Sequence, residues 1–558
     1  MTVFLFFSAL LPASAAENAT TSPHMVAAAH PLAVQAGLEI LREGGSAIDA
    51  AIATELVLTL VEPQSSGIGG GGFLVHYAKK TGRVESFDGR ETAPAGVDET
   101  LFLDAEGRPR PFHKAVVGGH SVGVPGLLRM LEMAHKAHGN LPWKRLFAPA
   151  IRHAEEGFEI SKRLARMIAN TKDLDAFAAT KAYFLNPDGT PKPAGTVLRN
   201  PALAHTLRRI AEDGADGFYE GPIAKAIAKT VATASRNPGA MTPEDIAAYR
   251  PLKRAAICRS YRGARICTMG PPSSGGVTLL QILGILENFD LGAYRPGTTQ
   301  TIHLITEASR LAFADRNRYL ADPDFVPQPI DALLNPAYLK KRARLISRTK
   351  SMGIAQPGII SGTPPEKPSP AHPESLSTTH LSVVDGEGNA LALTASIEGP
   401  FGSRLMVHGF LLNNELTDFA FLPVQDNMPV ANRVAPGKRP RSSMTPTLVF
   451  DPDGRFRMAI GSPGGPYIIG FVLKTLVATL DWKMDIQEAI ALPNFVNRNG
   501  KTELEAKTAL DATVHDLEKL GHIVLSRKLT SGLHGIARQE NGFAGGADPR
   551  REGIARGE

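Results

Sequence analysis

The chain has 558 residues, a net charge of +6, 43% apolar residues and 21% charged residues. This composition is typical of a globular protein with a large core, and it excludes a fibrous or intrinsically disordered chain. Because lysine and arginine are spread along the sequence instead of being concentrated in one segment, we predict no nucleic-acid partner.

An export signal is predicted at residues 1–16. Residues 2–11 are mainly apolar and the small residues of 12–16 resemble a signal cleavage site, although no basic residue lies near Met1. A buried first helix and a mis-assigned start codon are the alternatives. Since no later apolar stretch is long enough to cross a membrane, we expect an exported protein, periplasmic or extracellular, without a membrane span.

Helical patterns dominate the first third of the chain. A helix is predicted over 31–42, and Ser46 is expected to cap a long second helix. The glycine-rich stretch 65–73 contains GxGxxG, but it lies after a helix and before a strand, the reverse of a dinucleotide-binding loop. We therefore predict no nucleotide cofactor here, and a hairpin over 73–89 that leads to Arg90.

The only two cysteines, Cys258 and Cys267, flank a predicted turn at Arg262-Gly263. Counting back from this turn places them on a non-hydrogen-bonded pair, where the Cα atoms of antiparallel strands approach most closely. We predict a cross-strand disulfide with a structural role only, which export would permit. Two buried free thiols are the alternative.

Strand patterns in the chain fall into two groups, with helical patterns on either side. After the first hairpin, the predicted segments are helices within 124–236 and at 276–289 and 299–319, a proline-rich stretch at 357–373, hairpins at 378–397 and 447–460, and helices at 467–480 and 510–520. This arrangement predicts an α+β fold, a four-layer α/β/β/α sandwich.

The start of the 378–385 strand is rich in hydroxyl residues, with Ser377, Thr378 and Thr379 in succession. Such a stretch is usually the polar end of a linker. If the Ser377–Thr378 bond is cut, however, Thr378 becomes a chain terminus with a hydroxyl nucleophile and a free α-amine that acts as its base. We hypothesise that the chain is processed at this bond.

Metal and serine-hydrolase chemistry have no matching motif. His380, His408 and the pair His135 and His138 lack HExxH or CxxC spacing, so we predict no metal site. Ile460 stands where GxSxG needs its first glycine, which argues against a serine-hydrolase elbow.

Three stretches allow either a binding site or plain structure. The paired glycines of 461–466 present N–H groups to an oxyanion at a helix start or make a tight turn. Residues 438–443 form an anion pocket or a polar loop, and residues 413–418 form a cation-binding edge or a strand end.

Seven motifs together resemble the γ-glutamyltransferase (γ-glutamyl transpeptidase) family. They occur in family order across nearly the whole chain, which makes the set specific although no motif is specific alone. The motifs are Gly67-Ile-Gly-Gly-Gly-Gly-Phe73, Arg90-Glu-Thr-Ala-Pro94, Thr378-Thr-His-Leu-Ser-Val-Val-Asp385, Leu411-Leu-Asn-Asn-Glu-Leu-Thr-Asp-Phe419, Lys438-Arg-Pro-Arg-Ser-Ser-Met444, Gly461-Ser-Pro-Gly-Gly465 and Asp548-Pro-Arg550.

The resemblance implies an N-terminal nucleophile hydrolase that cuts itself between Ser377 and Thr378 and uses no cofactor. A large chain, 17–377, and a small chain, 378–558, would then form a heterodimer and one compact unit. Thr378 would attack a γ-glutamyl amide, and water or the amine of an amino acid or peptide would resolve the acyl-enzyme. The other implied catalytic residues are Ser396, which assists the nucleophile, and Gly464 and Gly465, which hold the oxyanion.

The resemblance also implies separate contacts for the two charged ends of the glutamyl group. The implied residues are Arg90, Ser442 and Ser443 for the α-carboxylate, and Glu415 and Asp418 for the α-ammonium. Glu398 stands where better-known members carry Asn, and it would strengthen ammonium binding or shift specificity. The segment 421–437 is shorter than the lid of some members and lacks Tyr, which favours a more open site.

The leading hypothesis is an exported γ-glutamyl hydrolase or transferase acting on glutathione and related amides. The alternative on the same scaffold is an acylase that removes a glutaryl-type side chain from a β-lactam nucleus, which needs no ammonium contact. Glu415 and Asp418 favour the first. A catalytically inactive binding protein is a third hypothesis, which the presence of Thr378 and the paired glycines disfavours.

Overall fold

The computed structural model describes residues 22–362 and 377–558. The predicted export signal at 1–16 and most of the proline-rich stretch lie outside the described residues, so both stay predictions. The described residues form two antiparallel sheets with helices on their outer faces.

The first sheet has seven strands, and every neighbouring pair in it is antiparallel. Its central strands are Thr379–Val384 and Ala390–Ser396, which the sequence predicts as a hairpin. In spatial order the strands are Ile554–Gly557, Met25–Ala28, Thr379–Val384, Ala390–Ser396, Gly71–Ala78, Arg83–Gly89 and Leu252–Ala255.

The second sheet has six strands, again antiparallel throughout. In spatial order they are Gly542–Ala547, His534–Gln539, Phe456–Gly461, Thr447–Phe450, Ala264–Thr268 and Ile257–Tyr261. Cys258 pairs with Cys267 in the last hairpin, with a Cα–Cα distance of 4.1 Å and an S–S bond of 2.07 Å. The hairpin therefore has the predicted register.

Alternate residues of the central strands face two different cores because side chains along a strand point to opposite faces. Leu381 and Val383 pack into a core covered by helices, whereas Val384 and Ala392 pack into the core that the two sheets share. Helices contact the outer face of each sheet. The predicted α+β class and the four-layer arrangement are confirmed.

The larger helices account for both outer layers. Helices Pro31–Arg42, Ala47–Val61 and Leu127–His138 cover the first sheet, and Gly275–Leu286 and Ile468–Leu480 lie against the second. Helix Thr299–Tyr319 packs on Gly275–Leu286. Ser46 caps the second helix as predicted: its hydroxyl accepts from the backbone N–H of Asp49, and the Asp49 carboxylate accepts from the N–H of Ser46.

Shorter elements complete the layers. The remaining α-helices are Phe112–Val116, Ala148–Glu156, Lys162–Asn170, Ala178–Phe184, Pro201–Asp213, Asp216–Tyr219, Gly221–Ala232, Pro243–Ala248, Ile330–Leu333, Pro336–Ala343, Ile486–Ala491 and Val514–Lys519. Minor strands are Phe158–Glu159, Val197–Leu198, Met406–Val407, Phe410–Leu411, Val424–Gln425, Met428–Pro429, Phe495–Asn497, Thr502–Glu505 and Val524–Arg527. Within 22–362 and 377–558, no helix has both the length and the apolar character needed to cross a membrane.

Candidate active site

Thr378 lies immediately before strand Thr379–Val384 and is 3% exposed. The antiparallel register pairs Thr379 with Ala395, which brings Ser396 opposite Thr378. Their hydroxyl oxygens are 3.4 Å apart, and the Ser396 Oγ accepts a 2.8 Å hydrogen bond from the backbone N–H of Glu398. Pairing within the sheet therefore places a second, oriented hydroxyl beside the candidate nucleophile.

The Ser377–Thr378 peptide bond is intact in this structure, and both residues are buried. The Thr378 hydroxyl contacts the carbonyl oxygen of Ser377, and the Ser377 hydroxyl donates to the carbonyl of Gln64. The Thr378 hydroxyl therefore lies next to the peptide group at which processing is predicted.

The turn at Gly464 and Gly465 connects strand Phe456–Gly461 to helix Ile468–Leu480. Both glycines have positive φ, 133° and 55°, which residues with a Cβ adopt only with strain. A Cβ on Gly464 would also lie 2.9 Å from the ring of Phe471. Gly465 lines the same cavity as Thr378 and begins the helical segment that follows the turn.

Arg90 is fully buried beneath the cavity and holds two carboxylates. Its guanidinium donates to Glu415, to Asp418 at 2.5 Å, and to the carbonyls of Pro440 at 3.0 Å and Arg441 at 3.3 Å. To form a bidentate pair with a substrate carboxylate, Arg90 would have to break some of these hydrogen bonds. The predicted carboxylate contact of Arg90 stays a prediction, and its present contacts orient the two acids.

Glu91 adds a third carboxylate that sequence reasoning missed. It is fully buried, with its Oε2 3.9 Å from Nη1 of Arg90. A Cβ on Gly71 would lie 2.5 Å from this oxygen and 2.5 Å from the backbone carbonyl oxygen of Gly89, so glycine is required at position 71. Burial, with Glu415 nearby, raises the pKa of Glu91 well above its usual value, and burial raises the pKa of Glu415 to about 7. These two acids therefore hold a proton more readily than free glutamates do, and an additional cation placed beside them would favour their ionised forms.

Ser442 and Ser443 are held by groups from the other half of the chain. Ser443 Oγ accepts from the Arg316 guanidinium at 2.6 Å, and the hydroxyl of Ser274 donates to the Ser442 carbonyl at 2.6 Å. Arg316 also donates to the Ser274 hydroxyl at 2.8 Å. The sequence analysis did not predict either Arg316 or Ser274. The one signal that could have indicated Arg316 was its charge at a buried position of the 299–319 helix.

Glu398 lies at the edge of the site with a φ of 71° and 4% exposure. The side-chain amide of Asn414 donates to its carboxylate and accepts a 2.8 Å hydrogen bond from the Gly399 N–H. Asn414 belongs to the 411–419 motif, so the sequence indicated the stretch but not this residue. The amide holds the additional carboxylate toward the cavity.

The structure brings most of the predicted residues to one cavity. Its walls are formed by Ser377, Thr378, Ser396, Glu398, Glu415, Asp418, Ser442, Ser443, Met444, Gly465 and Ile468. Arg90 lies behind this wall, Gly464 precedes Gly465 in the turn, and the Cys258–Cys267 disulfide belongs to a hairpin at the edge of the second sheet. The candidate nucleophile, one glycine of the 464–465 turn and three acidic side chains therefore share one cavity.

Comparison with known proteins identifies related chains. A family model described as Gamma-glutamyltranspeptidase matches residues 33–557. A glutathione hydrolase proenzyme of Bacillus subtilis (strain 168) is 39% identical over 545 residues, 96% of this chain and 91% of that protein. The glutathione hydrolase proenzyme of Escherichia coli (strain K12) is 38% identical over 539 residues, 94% of this chain and 90% of that protein. The crystal structure of cephalosporin acylase from Bacillus halodurans has a TM-score of 0.84 at 29% identity, covering 100% of this chain and 99% of that chain.

Proposed function

Because the chain belongs to the γ-glutamyltranspeptidase family, we propose that it is a self-processing γ-glutamyl transferase and hydrolase. It transfers the γ-glutamyl group of glutathione and related amides to water or to the amine of an amino acid or peptide. The observation that carries this proposal is the position of Thr378 at the edge of a cavity that also contains Glu415 and Asp418. The active form is an exported heterodimer of chains 17–377 and 378–558, from which the signal has been removed.

Self-cleavage begins with the contact between the Thr378 hydroxyl and the Ser377 carbonyl group. The Thr378 Oγ attacks the Ser377 carbonyl carbon, and the C–N bond breaks as the new ester bond forms. The proton from the hydroxyl moves to the departing nitrogen, which becomes the free α-amine. Water then hydrolyses the ester and leaves a carboxylate on Ser377.

The released amine is the general base of turnover. An α-amine has a pKa of about 7.7–8.0, so a useful fraction is unprotonated near neutral pH and accepts the hydroxyl proton. The Thr378 Oγ then attacks the γ-carbonyl carbon, while the N–H groups of Gly464 and Gly465 stabilise the oxyanion. The α-amine of Thr378 passes the proton to the amine of the substrate, which leaves. In the second half-reaction, water or an acceptor amine attacks the ester.

Recognition of the glutamyl head depends on its two charges. The carboxylates of Asp418 and Glu415 accept the α-ammonium, and the hydroxyls of Ser442 and Ser443 bind the α-carboxylate. Asp418 is the more accessible of the two acids, with a side chain 16% exposed against 2% for Glu415. The first direct ammonium contact is therefore assigned to Asp418.

Self-processing is tested by expressing the chain beside its Thr378→Ala variant. We expect two fragments from the parent on a denaturing gel and one uncut chain from the variant, which lacks the attacking oxygen. The parent should release p-nitroaniline from γ-glutamyl-p-nitroanilide and the variant should not. A parent chain that stays whole, or an active Thr378→Ala variant, would contradict the mechanism.

A glutaryl acylase is the second candidate, because the cephalosporin acylase structure matches this chain over its full length. Glutaryl-p-nitroanilide differs from γ-glutamyl-p-nitroanilide only in lacking the α-ammonium group. Assays of both substrates with the cut enzyme therefore separate the two functions. Faster turnover of the glutaryl substrate would replace the γ-glutamyl assignment and leave the self-processing mechanism in place.

A further inference from the structure

His76, Glu85 and His138 meet on the helix-covered face of the first sheet, away from the active site, and are called the histidine–carboxylate cluster below. His76 and Glu85 are direct partners on strands Gly71–Ala78 and Arg83–Gly89, so their side chains share one face. His138 is the last residue of helix Leu127–His138, which packs on that face. Three separate elements therefore bring these side chains together.

The distances in the cluster suit a common ligand. The His138 Nε2 lies 2.6 Å from the Glu85 Oε2, and the rings of His76 and His138 have centroids 4.3 Å apart. One ligand atom from each residue lies within 4.8 Å of the other two. Ligand atoms around a tetrahedral zinc ion stand about 3.3 Å apart, since Zn–N and Zn–O bonds are about 2.0–2.1 Å. Binding would separate His138 from Glu85, now 2.6 Å apart, and draw His76 closer to both.

His76 contributes an unsatisfied donor atom. Its side chain is 2% exposed, and within the described part of the chain its buried Nδ1 has no hydrogen-bond partner. A ring nitrogen without a hydrogen-bond partner offers its lone pair to a metal ion. A metal ion that holds the ring in place would offset the free-energy cost of this buried polar group.

The neighbouring lysine does not occupy the position that the ion would take. The Lys253 Nζ lies 2.5 Å from Oε1 of Glu85, whereas Oε2 faces His138. The lysine side chain is 51% exposed and reaches the carboxylate from the solvent side. Glu85 is therefore able to bind an ion through one oxygen and keep its lysine on the other.

A second group of similar composition lacks an unpaired ring nitrogen. It consists of His303, Glu307 and His522. His303 contacts His522 at 2.8 Å through Nδ1 and the Ser347 carbonyl at 2.7 Å through Nε2. The remaining His522 nitrogen lies 2.9 Å from the Thr502 hydroxyl, and Glu307 accepts from Arg310 at 2.8 Å. These ring nitrogens are already paired, so the group is explained as a buried hydrogen-bond network.

We propose that His76, Glu85 and His138 bind one divalent transition-metal ion of the zinc type, with water completing the coordination. Two imidazoles and one carboxylate are a ligand set that suits zinc. His76 lies five residues along its strand from Gly71, the cross-strand partner of Ser396, a separation of about 17 Å at about 3.3 Å per residue. The ion therefore cross-links two strands and a helix and takes no part in acyl transfer.

Zinc binding to the cut, tag-free enzyme tests the proposal. The protein is treated with a chelator, dialysed and titrated with zinc chloride in a calorimeter. We expect one ion per heterodimer and a higher thermal midpoint with zinc. His138→Ala and Glu85→Gln should each weaken binding at least about tenfold, because each removes a ligand. His515→Ala is the control, since His515 is an exposed histidine outside the cluster.

Cobalt(II) gives a readout that does not depend on stability. Bound at this site it should show the intense visible absorption of four-coordinate cobalt in the parent and in His515→Ala, and lose it in His138→Ala. The partly exposed position of His138 at a helix end makes its loss compatible with folding. Equal zinc affinity in the parent and in His138→Ala, or only the weak spectrum of octahedral cobalt in the parent, would overturn the proposal.

Discussion

Replacing Asp418 with Asn separates recognition of the substrate ammonium from the rest of catalysis. Asp418 lines the cavity beside Thr378, and its carboxylate is 2.5 Å from the Arg90 guanidinium. Asn keeps the size of the side chain and one oxygen that accepts from Arg90, but it removes the negative charge. The nucleophile and the Gly464–Gly465 turn are untouched, so self-cleavage should still occur.

The expected loss follows from the burial of the site. A charge-assisted hydrogen bond contributes about 1.5–3 kcal/mol, and removing one partner of a desolvated charge pair costs about 2–5 kcal/mol. Asp418 is partly exposed, and Glu415 still faces the ammonium, so we expect a loss of about 2–4 kcal/mol in transition-state stabilisation. At about 1.36 kcal/mol per tenfold change, kcat/KM should fall about 30- to 900-fold.

The assay compares two substrates with the same leaving group. With γ-glutamyl-p-nitroanilide the full decrease is expected, whereas glutaryl-p-nitroanilide has no ammonium and should change by less than about tenfold. Asp324→Asn is the matched control, because Asp324 also pairs with an arginine, Arg254 at 2.7 Å, but lies outside the cavity. An equal decrease for both substrates, or an unchanged γ-glutamyl rate, would refute the assignment of Asp418 to the ammonium.

Three further predictions concern the turn, a buried acid and the terminal amine. Gly464→Ala should lower the free energy of unfolding by about 2–4 kcal/mol, because the added Cβ meets both a positive φ and the ring of Phe471. Gly454 also has a positive φ but open space around it, so Gly454→Ala should lower this free energy by only about 1 kcal/mol. Equal urea midpoints for the two variants would contradict this prediction. Burial raises the pKa of Glu55 to about 8 from 4.5, so between these values the folded chain holds a proton that the unfolded chain has released, and stability falls as pH rises. The test compares urea unfolding of the uncut Thr378→Ala chain with that of the Thr378→Ala, Glu55→Gln double variant. The free energy of unfolding of the double variant, relative to the single variant, should rise by about 1.4 kcal/mol per pH unit between about pH 5 and 8. A difference that does not change with pH would exclude the effect. One extra residue before Thr378 in a separately expressed small chain should abolish turnover, because it converts the basic amine to an amide; full activity would show that the amine is not the base.

Local patterns were sufficient for most of the fold. The predicted helix over 31–42 is observed as Pro31–Arg42, and the predicted helix over 299–319 as Thr299–Tyr319. The disulfide hairpin followed from its two-residue turn, because turn length sets the register of the strands beside it. The strand order of the two sheets was not predicted, since pairing between distant strands depends on packing that no local pattern encodes.

The histidine–carboxylate cluster cannot be found from spacing motifs, and the prediction of no metal site stays untested. The absence of an HExxH spacing led to the prediction of no metal site, because a motif of that kind places its ligands on one helix. His76, Glu85 and His138 come instead from two strands and a helix, and cross-strand pairing decides that they meet. Their sequence separations carry no signal of their own.

Some features of the active site follow from the sequence, and others depend on the tertiary structure. The sequence by itself determined the position of Thr378, the paired glycines and the acidic motif, because each combines residue types whose chemistry is intrinsic to them. Only the tertiary structure decided that Arg90 lies behind the cavity between Glu415 and Asp418, that Glu91 adds a third buried carboxylate, and that Arg316 supports Ser443. The physical reason is that the charge state and orientation of a buried group depend on the groups packed around it, which come from distant parts of the chain.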